Sequence, residues 1–286
     1  MSGYPSLALG HDGYPPLLAA VYDPPARLYL RGRRPELLLG PCVAVVGARA
    51  CSPYGAQVAR SLGRELAAAG IVVVSGLARG VDGEAHRGAL EAGGATVAVL
   101  GCGIDRDYPA AHAELSRRIS ATGLVVSEYA PGVEPAPWRF PARNRIVAGL
   151  AEATVVVEAR ERSGALITAD LAMEEGREVF AVPGEITSRL SAGSNRLLRQ
   201  GATPLTAAAD VLEAFGIVPP EQAAPDVSSA ARDLLAALEH GPATSDELAR
   251  SLGLEAGPLA AALAELELAG AVAESAGLYR VVTGAR

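Results

Sequence analysis

The feature that most constrains this fold is an alternation, beginning at Cys42, of short β-branched runs with alanine-rich stretches of helical periodicity. Apolar strands separated by crossover helices are typical of a parallel sheet that is buried on both faces. The alternation predicts a Rossmann-like, doubly wound, mostly parallel α/β sheet, with ligands beyond the carboxyl ends of its strands. The predicted strands are 43–46, 71–74, 95–100, 124–127, 153–158 and 178–182. The predicted helices are 55–69, 82–92, 110–121, 142–150, 164–175 and 193–200.

The flanking regions differ in pattern. Residues 1–40 are rich in proline and tyrosine, and we expect an N-terminal extended arm with one short strand. Residues 41–215 form the predicted Rossmann-like domain, and the prolines of 216–227 predict a linker. Three helical patterns, at about 228–239, 245–252 and 256–269, precede two short strands that Gly277 can join as a hairpin. Residues 228–286 are therefore predicted to form a winged-helix domain.

Composition excludes several function classes. The formal net charge is -7, so a diffuse basic field does not hold nucleic acid to this chain. All 25 basic residues are arginine, as a GC-rich coding bias produces. Three cysteines without a C-x-x-C spacing, and four histidines without H-E-x-x-H, predict neither a metal site nor a disulfide. No apolar run is long enough to span a membrane and no secretion signal is evident, so we expect a cytoplasmic protein without a cofactor.

Several predicted strands end in small or phosphate-compatible residues. Glycine lets a ligand approach the backbone, and serine or threonine caps a helix while leaving N–H groups for an anion. Tight strand-to-helix turns also require glycine, which explains any one of these loops without a ligand. Five such loops on one sheet edge favour a phosphate-binding rim. The candidate residues in these loops are Gly47, Arg49, Ser75, Gly76, Ser163, Gly164 and Thr168.

A second candidate segment, 139–150, combines arginines and an aromatic ring with a predicted helix start. Guanidinium groups match phosphate geometry, and an exposed ring stacks on an unpaired base. The segment therefore indicates a nucleic-acid site, formed as a local pocket. Its candidate residues are Arg139, Phe140, Arg143, Asn144 and Arg145.

No catalytic constellation is evident. The first turn, Gly47 to Gly55, lacks G-x-G-x-x-G, which disfavours a nicotinamide enzyme. Asp82 and His86 are four residues apart on one helix, but a structural role near the helix start explains them better than acid–base chemistry. No G-x-S-x-G elbow or P-loop occurs, and no nucleophile pairs with a base, so we do not expect an enzyme.

The ordered motifs resemble the DprA family of DNA-processing proteins over about residues 10–215. They are Val43–Arg49, Ser75–His86, Gly101–Pro109, Ser127–Glu128, Phe140–Arg145, Ser163–Ala169, Val182–Gly184 and Gly193–Ala202. The resemblance implies a protein of natural transformation that binds and protects incoming single-stranded DNA, loads the RecA recombinase and promotes annealing.

The same resemblance implies roles for particular residues. Arg49 would contact the DNA backbone, Phe140, Arg143 and Asn144 would belong to the pocket, and the turn 163–168 would bind phosphate. It also implies a homodimer, although core packing explains the apolar dimer candidates equally well. Those candidates are Leu205, Val211, Leu212 and Phe215. Where relatives often carry lysine this chain has Ala110, so that contact is lost or is transferred to Arg106 or Arg117.

Two alternatives remain open at this stage. A nucleotide phosphoribohydrolase of the same superfamily would carry P-G-G-x-G-T-x-x-E, whereas residues 183–187 lack the later glycines and the spaced glutamate. A transcription factor would read duplex DNA with helix 256–269, which has two glutamates and no arginine. Residues 226–286 hold four arginines against nine acidic residues, a net charge of -5, which favours a protein-contacting or regulatory role for this domain.

Overall fold

The computed structural model describes residues 3–218, 227–275 and 277–281. The chain forms two compact units, Met1–Pro219 and Pro220–Arg286. Most of the predicted linker, from 219 to 226, lies outside the described residues. No helix among the described residues is both long and apolar enough to cross a bilayer.

The first unit is built on a nine-stranded sheet with seven parallel strands, which confirms the predicted fold class. Its parallel strands are β3 (Cys42–Val46), β4 (Val72–Ser75), β5 (Thr96–Leu100), β6 (Leu124–Ser127), β7 (Ala153–Val156), β8 (Glu178–Ala181) and β9 (Thr203–Pro204). Two N-terminal strands, β1 (Ser6–Ala8) and β2 (Arg27–Gly32), complete it in the order β1-β2-β6-β5-β4-β3-β7-β8-β9. The strand order therefore reverses between β3 and β7, and this is the topological switch point of the sheet.

Helices cover both faces of this sheet. They are α1 (Pro16–Ala19), α2 (Pro53–Ala68), α3 (Val81–Glu91), α4 (Ala113–Thr122), α5 (Arg139–Leu150), α6 (Gly164–Glu174), α7 (Ala192–Arg199) and α8 (Ala208–Ala214). Alternate strand residues serve opposite cores: Val43 and Val45 pack with α2, α3 and α8, whereas Ala44 and Val46 pack with α1, α5 and α6. The continuous apolar strands of the sequence thus fill both cores.

The N-terminal forty residues differ from the prediction of an arm with one strand. Strand β2 pairs antiparallel with β6, and β1 pairs with β2, so this segment extends the central sheet. Leu28 and Leu30, on the same side of β2, pack into one core and are at most 5% exposed. Nearby prolines obscure this three-residue alternation in the sequence.

The predicted dimer residues face the protein's own core. Leu205, Val211 and Leu212 are each no more than 3% exposed, and Phe215 packs half-buried against the same cluster. Side chains enclosed in this way have no surface to offer a second copy. The assignment of Leu205, Val211 and Leu212 to a dimer contact is therefore wrong, and they are core residues.

The second unit has the predicted winged-helix elements. Helices α9 (Ser229–Glu239), α10 (Ser245–Leu252) and α11 (Ala256–Leu268) accompany strands β10 (Ala243–Thr244), β11 (Val272–Ser275) and β12 (Leu278–Val281). These strands form a sheet of order β10-β12-β11, with β11 and β12 antiparallel. Gly277, between them, has a φ of 79°, as the predicted hairpin turn requires.

His86 is a structural residue, as the sequence indicates. It is fully buried on α3, and its Nδ1 lies 2.6 Å from Thr96 Oγ1. Because the Thr96 hydroxyl donates to the Val73 carbonyl, Nδ1 is the donor to Thr96 and Nε2 carries no proton. Burial, with nearby positive charge, lowers the pKa of His86 to about 3.

We expect His86 to make the α/β unit sensitive to acid. Its folded pKa lies below the unfolded value, so stability present above about pH 6.5 falls progressively as the pH drops toward the folded pKa. From pH 7 to pH 5.5 this group removes about 1 kcal/mol of unfolding free energy. Urea unfolding of the wild type and of His86→Leu, followed by tryptophan fluorescence, measures the difference. An equal acid dependence in the two proteins would contradict this assignment.

Candidate nucleic-acid interface

A cavity of about 360 Å³ opens beyond the carboxyl ends of β3 and β7, at the switch point. Open α/β sheets bind their ligands at this place. Its walls come from the loops after β3, β4 and β7 and from the first turns of α5 and α6. The principal lining residues are Gly47, Arg49, Gly76, Asp82, Phe140, Arg143, Asn144, Arg160, Arg162, Ser163, Gly164 and Thr168.

The loop after β3 carries an exposed arginine on a fixed backbone. A Cβ on Gly47 would lie 2.7 Å from Val81 Cγ2, so only glycine fits this close approach to α3. Further along, the buried Glu158 carboxylate accepts hydrogen bonds from the Ser52 backbone N–H at 2.9 Å and from its hydroxyl at 2.6 Å. Arg49 lies between these two attachment points with its side chain exposed. Arg49 is thus available to an anion while its backbone is held.

Two buried charged residues, Asp82 and Arg143, support the cavity floor. Asp82 accepts from the backbone N–H groups of Gly76 and Ala78 at 3.1 and 3.2 Å. The Arg143 guanidinium donates to the Gly76 carbonyl at 2.7 Å and to the Val99 carbonyl. A Cβ on Gly76 would overlap Arg143, so glycine is required there as well. Burial raises the pKa of Asp82 and lowers that of Arg143.

Arg143 therefore acts differently from the predicted phosphate contact. It lines the cavity but is only 4% exposed, and its guanidinium is bound to backbone carbonyls. An arginine stays charged even when buried, so Arg143 places a positive charge beneath the cavity. Its guanidinium N–H groups are not exposed to a ligand. Arg143 fixes the start of α5 and contributes to the local potential.

Aromatic rings form one wall. The Phe140 ring stacks on Tyr108 with centroids 5.2 Å apart and an interplanar angle of 25°. The Arg49 guanidinium lies over Phe140, 5.7 Å from its centroid. A Cβ on Gly101 would be 2.8 Å from Phe140 Cδ1, so that glycine makes room for the ring. Tyr108 is 42% exposed and adds a second ring to the one that the sequence indicates.

The opposite wall is the start of α6. The Ser163 hydroxyl caps the helix by accepting from the Ala165 N–H at 3.3 Å. Asn144 Nδ2 donates to the Gly164 carbonyl at 3.0 Å and joins α5 to α6 across the cavity. The partial positive charge of a helix N-terminus favours an anion at this wall. Thr168, one turn further in, is buried below it.

Three predicted site residues lie elsewhere. The Ser75 hydroxyl is buried and donates to the Val45 carbonyl at 2.6 Å. Arg145 projects from another side of α5, where it pairs with Glu128 at 2.8 Å and with Asp23 at 2.9 Å. Arg139 packs against the Tyr129 and Trp138 rings. None of the three lines the cavity, and each is bound by neighbouring groups, so their part in DNA binding stays a prediction.

Two arginines, Arg106 and Arg117, were suggested to replace the lysine that relatives often carry at the position of Ala110. Both are already in ion pairs. Arg106 pairs with Glu134 at 2.6 Å, and Arg117 pairs with Glu114. Neither residue lines the cavity. The structure instead adds Arg160 and Arg162, which sequence reasoning missed. The available signal was their position between a predicted strand end and the Ser163 cap.

The cavity is locally basic on an acidic chain. Arg49, Arg160 and Arg162 are exposed, and none of the ion pairs found within residues 3–218 involves them. Asp82, the acidic residue of the lining, is bound to backbone N–H groups. Among the described residues, no group of three or more His, Cys, Asp or Glu side chains is arranged to hold a metal ion. The geometry fits recognition of a phosphate-bearing ligand with an accessible base.

The fold and the cavity together define a Rossmann-like protein with an arginine-lined cavity at its switch point and a winged-helix unit after it. The sequence profile of the family described as DNA recombination-mediator protein A matches residues 6–216, and that of the DprA winged helix domain matches residues 218–277. The chain belongs to this family, and the resemblance noted in the sequence is confirmed.

Individual relatives agree with this family assignment. DNA processing protein DprA of Streptococcus pneumoniae is 48% identical over 216 residues, 74% of each chain. Protein Smf of Escherichia coli is 41% identical over 278 residues, 93% of this chain and 74% of that protein. The solved structure of the S. pneumoniae protein superposes with a TM-score of 0.71 at 47% identity and covers 74% of each chain.

A second solved structure is DNA processing protein A from Helicobacter pylori, described in terms of its single-stranded DNA binding mode. It superposes with a TM-score of 0.67 at 33% identity, and the match covers 74% of this chain and 95% of that one.

The two cavity arginines Arg143 and Arg49 are expected to differ in their effect on stability. Arg143→Met leaves the Gly76 and Val99 carbonyls unpaired and Asp82 uncompensated, which lowers the unfolding free energy by about 3 kcal/mol. Arg49→Ala, at an exposed site, changes it by less than about 0.5 kcal/mol. Urea unfolding monitored by tryptophan fluorescence compares the two variants. Wild-type stability in Arg143→Met would contradict the structural role.

Proposed function

We propose that this protein binds single-stranded DNA in the switch-point cavity, with phosphates at Arg49, Arg160, Arg162 and the start of α6 and an unpaired base beside Phe140 and Tyr108. The observation that carries the proposal is this group of unpaired arginines and rings on a chain of net charge -7. A diffuse field does not attract DNA to such a chain, so the attraction is local. The H. pylori relative, described as binding single-stranded DNA, supports it.

The shape of the site favours a single strand over a duplex. Proteins read duplex DNA by placing a helix or ribbon in a groove, whereas this site is a cavity with rings in its wall. A ring stacks on a base only when the base is unpaired.

The second unit lacks the groups that read duplex DNA. The outward surface of α11, which includes Ala260, Ala261, Ala264 and Leu268, has no guanidinium group that could bind guanine or contact a phosphate. We therefore assign strand binding to the first unit and a regulatory or protein-contacting role to the second.

The proposed partner, cellular role and oligomeric state rest on membership of the family. A recombination mediator acts on a recombinase, and we propose RecA as the partner, with protection of incoming DNA and annealing during natural transformation as the outcome. We also propose a cytoplasmic homodimer. Its contact surface does not include the buried Leu205, Val211 and Leu212.

We propose binding without chemistry at this site. The loop that corresponds to the phosphate site of phosphoribohydrolases is occupied internally: Asn195 Nδ2 donates to the Gly184 carbonyl at 2.9 Å, and its Oδ1 accepts from the Gly184 N–H at 3.2 Å. This N–H is consequently not free for a substrate phosphate. Incubation with nucleoside monophosphates is expected to release no free base, and release at an enzymatic rate would support the hydrolase instead.

The binding proposal predicts strand preference and a defined set of arginines. In fluorescence anisotropy with a labelled oligonucleotide, a single strand should bind more tightly than its matched duplex at every salt concentration. Arg49→Ala, Arg160→Ala and Arg162→Ala should each weaken binding and lower the salt slope by about 0.7, the value for one single-strand phosphate contact.

Arg232→Ala is the matched control, because Arg232 is exposed but lies on α9 of the acidic unit. It should bind as the wild type does. Equal affinity for strand and duplex, or equal losses in all four variants, would overturn the cavity as the binding site.

A further inference from the structure

A large exposed ring lies next to the cavity but outside it. Trp138 immediately precedes α5 and is 63% exposed, the most exposed aromatic residue near the cavity. Exposing an indole to water forgoes the burial that stabilises most tryptophans. Tryptophan is enriched at interfaces, and this one is two residues from Phe140.

Neighbouring groups hold the indole in place. The Arg139 guanidinium lies 4.8 Å from the Trp138 ring centroid and 5.1 Å from that of Tyr129. Arg139 also donates to the Glu134 carbonyl, which anchors its position. A cation in contact with both rings orders the exposed indole before any ligand arrives. Preorganisation of this kind lowers the entropy cost of binding.

Trp138 is more accessible than the ring inside the cavity. Phe140 already contacts the Tyr108 ring and the Arg49 guanidinium and is only partly exposed. Consecutive Cα atoms are 3.8 Å apart, so those of Trp138 and Phe140 are within about 7.6 Å of each other. A strand with one base beside Phe140 therefore passes close to the backbone that carries Trp138, where an adjacent nucleotide can meet the exposed indole. The Arg139 guanidinium adds positive charge beside that indole.

We propose that Trp138 is a second stacking site for an unpaired base, adjacent to the nucleotide in the cavity, with Arg139 as its supporting cation. This inference rests on the proposed single-strand binding and extends it from the cavity to the surface before α5. The occupant is a nucleobase because a flat ring backed by a guanidinium, beside a basic cavity, complements a base attached to a phosphate.

The chain itself supplies the probe. Trp138 is its single tryptophan, so emission reports this site alone. Titration of the full-length wild type with unlabelled oligo-dT should quench the emission and saturate at the concentration at which anisotropy of a labelled strand saturates. Binding by anisotropy without any change in emission would overturn the inference and leave the proposed function intact. Absence of single-strand binding by anisotropy would overturn both.

Variants provide the second test. Trp138→Ala should weaken oligo-dT binding roughly tenfold, within the range measured for one base–aromatic stack, and Trp138→Phe should recover most of the affinity. Tyr22→Ala is the control, because Tyr22 is 97% exposed and does not line the switch-point cavity, and its affinity should stay at the wild-type value. Circular dichroism establishes that each variant is folded. Wild-type affinity in folded Trp138→Ala, or no recovery in Trp138→Phe, would overturn the stacking role.

Discussion

The buried guanidinium of Arg143 is the interaction on which the site depends. It ties the start of α5 to the carbonyls after β4 and at the end of β5. Gly76 is required because Arg143 fills the space of its Cβ, and Asp82 orders the same loop from the other side. A buried charge is costly unless it is hydrogen-bonded, so this group has one stable position. With α5 fixed, Phe140 and Asn144 are directed to the cavity.

This arrangement separates structural from ligand-binding charge. Arg143 and Asp82 are buried and satisfied by the backbone, whereas Arg49, Arg160 and Arg162 are exposed at the rim. An acidic chain gains a local anion site in this way, with the start of α6 adding its dipole. Because the acidic surface outside the cavity attracts phosphate only weakly, ligands that fill the cavity should bind more tightly than ligands that touch only the surface. In the proposed function a single strand fills the cavity with both phosphate and base.

Much of this architecture was predictable from the sequence because strand runs such as 43–46 are apolar throughout and the helices between them are periodic. The sequence predicted one short strand in the N-terminal arm but not that two strands join the sheet, because β2 alternates over only a few residues beside prolines. Residue type alone did not reveal which arginine of 139–150 is buried, since Arg143 and Arg145 differ only in helical phase. Arg160 and Arg162 lie between the predicted strand end, 158, and the Ser163 cap, and that position alone did not show that their side chains line the cavity. Leu212 shows the related limit, because an apolar residue near a domain end fits a core and an interface equally well.

Photocrosslinking tests most directly whether one strand lies in the switch-point cavity. An oligonucleotide carrying 5-iododeoxyuridine is bound to the full-length protein, irradiated, and its adducts are mapped by mass spectrometry. If the strand lies in the cavity, adducts are expected on Phe140 and on the peptides that contain Arg49 and Ser163, which line it, and on Tyr108, which stacks on Phe140. Adducts confined to residues 245–281 would place the strand on the winged-helix unit and contradict binding in the cavity.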